Sequence, residues 1–592
     1  MARKTIRVSA GFKGRYPAYP AQPISDIRDM FLKSTRKFGD KIALQHKKDG
    51  SWQPVTYREL HEAVEQAACG LAALEMEPVR GKLAIVGDNR PEWATAYLAA
   101  ACTGIVCVPI DRDLKATEAF NILYLSRAQA VICDGKHLEM MLDLRKKLPD
   151  LARIVNMDEN RPADVVLGFS DLKRLGLERI RAGHNDFRER TVTPDHLLSI
   201  LFTSGTMGNS KAAVLTHRNV ACNLVDAVQW VNLGAEDRFL SVLPIHHSYE
   251  CTDGFLLAIY VGATTSYAEN LRRIPENLVE TRSTVMLGVP LLWHSIYRKI
   301  EAGMAEQGMW KVKAAKLAAA FMKKAFGWNV RRLLFSRVHR RFGGHLRLLI
   351  SGGAAVDPAV ARGFRELGIA FLQGYGLTES SPIIAVNRNE AFKDDAAGLP
   401  LPSVEVRIAE DGEVLARGPN IMKEYYGNPE ATRDALEDGW LHTGDLGYLD
   451  AEGFLHIQGR KKSVIVTPAG KKIYPEEVEA EILKSPCISE CLVWGQQTSD
   501  PAQEPAIEAI VVPNREHFAA LDPVATGAGD AARIESLVRQ EVRERCRNLA
   551  SYKRITRLAV SHEELEKTTT KKVKRYLYTG RTAGPNGRET GE

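Results

Sequence analysis

The chain has 592 residues, and 80 basic against 73 acidic side chains leave a formal net charge of +7 at pH 7. A hydrophobic fraction of 45% with 26% charged residues is ordinary for a soluble globular protein of several domains. It excludes a disordered chain, a collagen-like repeat and a polytopic membrane protein. So mild a charge permits anionic partners but calls for no nucleic acid.

Residues 1–24, carrying Gly, Pro and Arg, read as an N-terminal arm. Met1–Ala10 is basic, but no apolar stretch follows it, so no secretory signal is expected. From Ile27 the pattern alternates helix and strand. Arg58–Ala68 has apolar residues at helical spacing, and Lys82–Gly87 is a short apolar run closed by glycine. Gly104–Pro109 and Ala130–Cys133 repeat that strand pattern. Tyr97–Ile110 is too short to cross a membrane and reads as a buried helix–strand pair. The absence of a span leaves open a peripheral position at the inner face of a membrane. The alternation predicts an α/β fold of layered, mostly parallel sheets with helices.

The nine cysteines show no metal-ligand spacing. Cys102 and Cys107 lie in an apolar run, and Cys487 and Cys491 are not followed by a second pair. They read as reduced thiols of a cytoplasmic protein.

Trp310–Gly343 holds ten Lys and Arg residues and no Asp or Glu, interleaved with Ala, Leu, Phe, Met and Trp. It reads either as a solvated helical face or as a cationic amphipathic surface for anionic lipid or a phosphate-bearing ligand. After Gly459 a small β-rich, then α-rich pattern begins. Ser463–Val466 is a strand candidate and Pro475–Leu483 a helix with proline at its start. The expected division is an arm over 1–24, a large domain over 25–459, a smaller α+β domain over 460–578 and a disordered tail over 579–592.

The most informative window is Ile200–Lys211. An apolar run ends in Thr203-Ser-Gly-Thr-Met-Gly-Asn-Ser-Lys211. Gly205 and Gly208 let backbone N–H groups approach an anion, Thr203, Ser204 and Thr206 add hydroxyls, and Lys211 adds a charge. The spacing is not the Walker pattern, and such a loop alone is either a turn or an anion cradle. Further windows follow in order: Leu243-Pro-Ile-His-His247, Ser351-Gly-Gly-Ala354, Gly374-Tyr-Gly-Leu-Thr-Glu379, Trp440-Leu-His-Thr-Gly-Asp445 and Gly459-Arg-Lys-Lys462.

Together these strongly resemble the adenylate-forming superfamily of acyl-CoA synthetases, peptide-synthetase adenylation domains and luciferases, over about Ile27–Tyr578. The Gln373-Gly-Tyr-Gly form and the basic segment before Leu346 look most like the long-chain fatty acyl-CoA synthetase branch. The resemblance implies a mobile C-terminal domain and a medium- to long-chain fatty acid–CoA ligase. ATP, Mg²⁺ and coenzyme A would serve it, and the products would be acyl-CoA, AMP and pyrophosphate.

By that resemblance, Thr203, Ser204, Gly205, Thr206, Gly208 and Lys211 cradle the β- and γ-phosphates. Thr378 meets the α-phosphate, and Glu379 with Thr206 holds Mg²⁺. Gly352, Gly353 and Ala354 line one face of adenine, while Tyr375 beside Gly376 stacks on the other. Asp445 takes the ribose hydroxyls and Arg460 makes a second ribose or phosphate contact. His247 lies near the substrate carboxylate and acyl entrance. His246 and His247, adjacent in an extended segment, would point apart and so not share a metal. Glu566–Arg575 aligns with the family's Lys-Thr-x-x-Gly-Lys motif, placing Lys572 on the lysine that contacts carboxylate and ATP. Thr467–Pro475 resembles the loop used in thioester formation, and the lack of an insertion between Arg460 and Ile473 favours CoA over an acyl carrier protein.

The sequence departs from the family pattern at Met207, Ser210, Ala212, Lys571 and the hinge residue Ser463. None removes a charge the implied chemistry uses. Two alternatives stand beside the ligase: an acyl-AMP ligase loading a carrier protein, and a degenerate sensor that binds ATP or acyl-AMP.

Overall fold

The structure is a computed structural model. It describes residues 7–8, 17–160, 164–203, 211–306, 308–468, 471–496, 505–521, 528–567 and 573–579. Of the expected site residues, Ser204, Gly205, Thr206, Gly208 and Lys572 lie outside this set.

The predicted alternation forms. The helix Tyr57–Ala73 starts at a capping box in which Thr56 accepts from the Glu59 N–H and the Glu59 carboxylate accepts from the Thr56 N–H. Its apolar stripe, including Leu60, Val64 and Leu71, is fully buried. The 97–110 stretch resolves into the helix Pro91–Thr103 and the strand Val106–Ile110. Gly104 stops the helix in the left-handed region at φ 73°.

Two large sheets carry the site. In the first, the strands Leu197–Thr203, Val106–Ile110, Lys82–Val86, Ala130–Cys133, Arg153–Asn156 and Val166–Gly168 run parallel in that order. Lys211–Thr216 follows antiparallel to Leu197–Thr203, and Glu424–Tyr425, antiparallel to it in turn, forms that edge. In the second, a parallel block passes from Ala370–Gly376 through Leu348–Ser351, Val285–Gly288, Arg238–Ser241 and Thr264–Tyr267 to Ile42–Lys48. Antiparallel strands flank it on both sides. A third sheet is antiparallel and holds Glu405–Ile408, Glu413–Arg417, Trp440–Leu449 and Leu455–Arg460.

The described part of the arm is tied to distant segments of the chain. Arg7 and Val8 pair with the strand Glu405–Ile408, the Pro17 carbonyl accepts from Arg388, and the Tyr19 N–H donates to Gln229. These partners lie hundreds of residues away, so local composition carries no sign of them.

The smaller C-terminal unit packs the helices Pro475–Ile482 and Ala528–Cys546 on the strands Ile488–Gln496, Ala506–Pro513 and Arg557–Val560. Ile473, Val478, Ile488, Val511 and Val538 form its own core. The expected strand at Ser463–Val466 is shorter than its apolar run. Lys461–Ser463 is a single 3₁₀ turn, and only Ile465–Val466 pairs, with Lys472–Ile473. The Lys461 ammonium is drawn to Asp411 and Glu413, at 2.6 and 2.9 Å, and Pro468 soon ends the ladder.

All nine cysteines are free. Among the described residues, no helix is long and apolar enough to cross a membrane.

Candidate active site

The strand Ala370–Gly376 ends in a turn that presents Tyr375, Gly376, Thr378 and Glu379. Glycine is required at 376, because a Cβ there would sit 1.8 Å from the Pro382 carbonyl oxygen. Two buried asparagines from distant elements hold the turn. Asn223 and Asn420 each donate to the Ser380 and Ile383 carbonyls, at 2.9–3.4 Å. Backbone groups of a buried turn need such partners.

Asp445 lies on the strand Trp440–Leu449, directly across from Arg460 on Leu455–Arg460. One carboxylate oxygen accepts from the Tyr375 hydroxyl at 2.6 Å, and the other is 2.8 Å from the Arg460 Nε. Burial first, and the neighbouring Asp445 charge second, raise the Tyr375 phenol well above its ordinary pKa, so it stays a donor. A carboxylate oxygen can accept more than one hydrogen bond, so this group also suits the hydroxyls of a diol. Thr443 fixes this strand end by donating to the Val414 carbonyl at 2.7 Å and accepting from the Asp445 N–H at 3.1 Å.

Gly352, Gly353 and Ala354 follow the strand Leu348–Ser351. Gly353 adopts φ +86°. The Tyr249 ring lies against Gly352, where an added Cβ would be 2.9 Å from the ring. The Tyr249 hydroxyl donates to the Ile350 carbonyl at 3.1 Å. Tyr249 opens a π-helical segment, Tyr249–Leu256, two residues after His247. Such segments recur at functional sites.

His246 and His247 sit in a turn rather than an extended segment, since the His247 N–H donates to the Pro244 carbonyl at 3.1 Å. They face different partners. His246 Nε2 is 3.6 Å from Asp111, whereas His247 Nδ1 accepts from the Tyr249 N–H at 3.3 Å. The next residue, Ser248, places its hydroxyl 3.3 Å from that of Thr378. The histidine turn and the Thr378 turn are thus neighbours.

Thr203 and Lys211 face each other across an antiparallel pair, and the Thr203 hydroxyl donates to the Lys211 carbonyl at 3.1 Å. The Lys211 ammonium lies 4.7 Å from the centre of the Tyr425 ring. The Tyr425 hydroxyl in turn donates to Glu379 at 2.7 Å. Burial, then the Glu379 charge, raise the Tyr425 pKa. Tyr425 therefore bridges the lysine side and the carboxylate side of the site.

Glu379 and Thr378 offer hard oxygen donors, the type Mg²⁺ takes alongside phosphate and water. Among the described residues no group of three or more His, Cys, Asp or Glu converges on a metal. A cation here would draw its remaining ligands from the nucleotide and solvent.

Contacts thus link Thr203, Lys211, Glu379, Thr378 and the histidine turn, and, through Tyr249, Gly352. Tyr375 joins Asp445 and Arg460 to the same turn. Sequence reading passed over Tyr425, Tyr249, Ser248, Asn223 and Asn420. Ser248 and Tyr249 follow the histidine pair directly in the chain and carried a positional signal. Tyr425 and the asparagines have no local pattern, because each acts through a partner far along the chain.

A family model described as AMP-binding enzyme matches residues 31–426. The long-chain-fatty-acid–CoA ligase FadD15 of Mycobacterium bovis is 28% identical over 567 residues, with 91% of this chain and 90% of that protein covered. A feruloyl-CoA synthase of an Amycolatopsis species is 29% identical, with 78% of this chain and 84% of that protein covered. The crystal structure of the anthranilate CoA ligase AuaEII in complex with anthranoyl-AMP has the same fold, with a TM-score of 0.73 at 22% identity, covering 96% of this chain and 98% of that one. The family match spans well over half of the chain and contains the Thr203–Lys211 window, the histidine turn and the Thr378–Glu379 turn: the chain belongs to the AMP-binding enzyme family.

Proposed function

We propose that this protein is an ATP-dependent acid–thiol ligase that makes acyl-CoA from a medium- to long-chain fatty acid through an acyl-adenylate. The observation that carries this reading is the convergence of Tyr375, Asp445 and Arg460 on one side of a turn whose other residues, Thr378 and Glu379, face the Lys211 strand. That arrangement suits a nucleoside at one end and its phosphates at the other. The fatty-acid class is supported by the likeness to FadD15, and the feruloyl-CoA synthase supports an acid–CoA ligase more broadly.

In the first step a carboxylate oxygen attacks the α-phosphorus and pyrophosphate leaves. In the second, the CoA thiolate attacks the acyl carbonyl and AMP leaves. Neither step needs the protein to form a covalent bond, so its work is positioning and charge compensation. Asp445 and Tyr375 fix the nucleoside, while Thr378 and Lys211 donate toward phosphate oxygens. His247 lies beside the place where the carboxylate must approach. Mg²⁺, held by Glu379 and Thr206, would offset phosphate charge. Lys572 would offset the repulsion between the substrate carboxylate and ATP. The division at about residue 460, with a C-terminal domain that reorients between the steps, belongs to this proposal, as does a position at the inner face of a membrane.

Product analysis by mass spectrometry tests the reading. The enzyme receives Mg-ATP, CoA and an equimolar pool of acids from acetate to long-chain and aromatic acids. The expected result is medium- to long-chain acyl-CoA with matching AMP. Consumption of aromatic acids alone would overturn the substrate class, AMP or acyl-adenylate without acyl-CoA would point to a carrier-protein acceptor, and bound ATP with no AMP would leave a sensor.

A second check separates the half-reactions. Lys572→Ala should slow acyl-adenylate formation by about 10²–10³-fold, the scale of a lost transition-state charge contact. Thioester formation from supplied acyl-AMP should stay near the wild-type rate in rapid-quench assays. Equal loss in both steps removes Lys572 from this role.

A further inference from the structure

The basic segment that the nucleotide chemistry does not use folds as an amphipathic helix with both of its faces defined. In Met309–Phe326, the buried or half-buried positions Val312, Ala315, Lys316, Ala319 and Met322 recur every three or four residues. Val312 and Ala315 pack against the core of the second large sheet. The opposite face is apolar and exposed. Trp310 is 71% exposed, Leu317 72% and Phe321 64%. At 100° per residue these three fall within about 40° of each other. The chain beyond the helix continues the surface, with Trp328 62% and Leu333 74% exposed. The Phe326 and Trp328 rings lie 5.6 Å apart.

Charge singles out the occupant. Acidic residues are about one in eight across the chain (73 of 592), yet none occurs from Trp310 to Gly343. Lys313 and Lys324 border one side of the Trp310–Leu317–Phe321 stripe and Lys323 lies further round on that side, all three exposed. Lys311 lies over the Trp310 ring at 5.7 Å. Not every cation of the segment is available. Lys316 pairs with Glu366 at 2.8 Å, and Arg332 donates to the Leu346 and Gly344 carbonyls at 3.0 and 2.7 Å.

We propose that the outer face of Met309–Phe326, with Trp328 and Leu333, docks the enzyme on an anionic lipid bilayer. A headgroup layer accepts both halves of this surface at once. Ammonium groups meet lipid phosphates, while rings and leucines sink to the acyl boundary and the lysine stems extend back toward water. Exposed apolar surface bearing only one sign of charge is costly to leave in water and matches that layer. Docking is independent of which acid is activated and requires only the folded chain.

Flotation of the full-length protein with vesicles tests it. Vesicles of phosphatidylcholine alone are compared with vesicles containing phosphatidylglycerol, at low and high salt. Wild type should bind the anionic vesicles, bind the neutral ones far less, and weaken with salt. Each exposed lysine contributes about fivefold near such a surface, so changing Lys313, Lys323 and Lys324 to Gln together should cost about a hundredfold. Changing Trp310, Leu317 and Phe321 to Ser should cost at least tenfold on its own. Adenylation of a soluble medium-chain acid, measured as pyrophosphate release, should be unchanged in both variants and reports that they are folded. Absence of wild-type binding, equal binding by folded variants, or retention of an acidic carrier protein by this face without vesicle binding would overturn the proposal.

Discussion

An Asp445→Asn enzyme should lose about 10²–10³-fold in kcat/KM for ATP and should no longer discriminate ATP from its 2′,3′-dideoxy analogue. Asp445 is 4% exposed and already holds Tyr375 and Arg460 through separate oxygens. A carboxylate in this position can accept from both hydroxyls of a ribose. Hydrogen bonds to a charged group contribute about 1.5–3 kcal/mol each, so two lost bonds reach this range. An amide keeps the shape but has only one acceptor atom, and it loses the charge facing Arg460. The dideoxy analogue separates the two roles of the carboxylate. If Asp445 binds the diol, wild type should disfavour the analogue strongly and the variant should treat both nucleotides alike. If the variant is impaired yet keeps wild-type discrimination, Asp445 acts only by positioning Tyr375 and Arg460. Tyr375→Phe, which removes one donor and leaves the carboxylate, should retain most of the discrimination.

The second large effect concerns stability and pH. Glu250 and Asp253 lie in the π-helical segment at 1% and 4% exposure. Neither carboxyl finds a hydrogen-bond partner among the described residues, and the Ser241 hydroxyl beside Glu250 does not close a bond. Burial raises the Glu250 carboxyl to about 8 from an ordinary 4.5. Burial and the nearby Glu250 raise Asp253 in the same direction. The other titratable groups sensing this pair are the buried phenols of Tyr249 and Tyr267 and the Cys251 thiol, none of which supplies a positive charge.

The sign follows from linkage. Below about pH 4.5 Glu250 is protonated in both folded and unfolded chains and contributes nothing to the pH dependence. Between about 4.5 and 8 the unfolded chain releases a proton that the folded chain keeps, so stability falls as pH rises. Above about 8 both states are ionised and the loss levels off. At about 1.4 kcal/mol per unit of pKa difference, the loss is several kcal/mol by alkaline pH. Glu250→Gln should therefore unfold at a higher temperature than wild type at pH 8 and show a flatter profile between pH 5 and 8. Differential scanning calorimetry across that range checks it. Parallel profiles for the two proteins would show that Glu250 ionises normally in the folded state.

The site shows which parts of a structure can be read from a chain. Each residue inside a motif window was legible because its chemistry and its neighbours occur within about ten positions. Gly376 announces a turn, and its requirement is confirmed by the Pro382 carbonyl only six residues on. Tyr375 and Asp445 were each named, but their hydrogen bond spans 70 positions. Asn223 and Asn420 were invisible. Asn223 lies on the buried side of the helix His217–Trp230 and Asn420 in a turn, and the value of each lies in two carbonyls on a distant turn. The strand at Ser463–Val466 was overread because apolar runs predict strands whether or not a partner backbone is in reach.

By itself, the sequence determined the alternation of helices and mostly parallel strands, the windows that carry the family's motifs, and the acid-free cationic segment. These rest on periodicity, glycine and proline placement and side-chain type, all local properties. The tertiary structure alone decided that Tyr425 bridges Lys211 and Glu379, that Tyr249 fills the space over Gly352, that two carboxyls lie buried beneath the histidine turn, and which lysines of the basic helix face water. Those facts depend on strand order, crossing helices and desolvation, which arise only when segments far apart in the chain pack together.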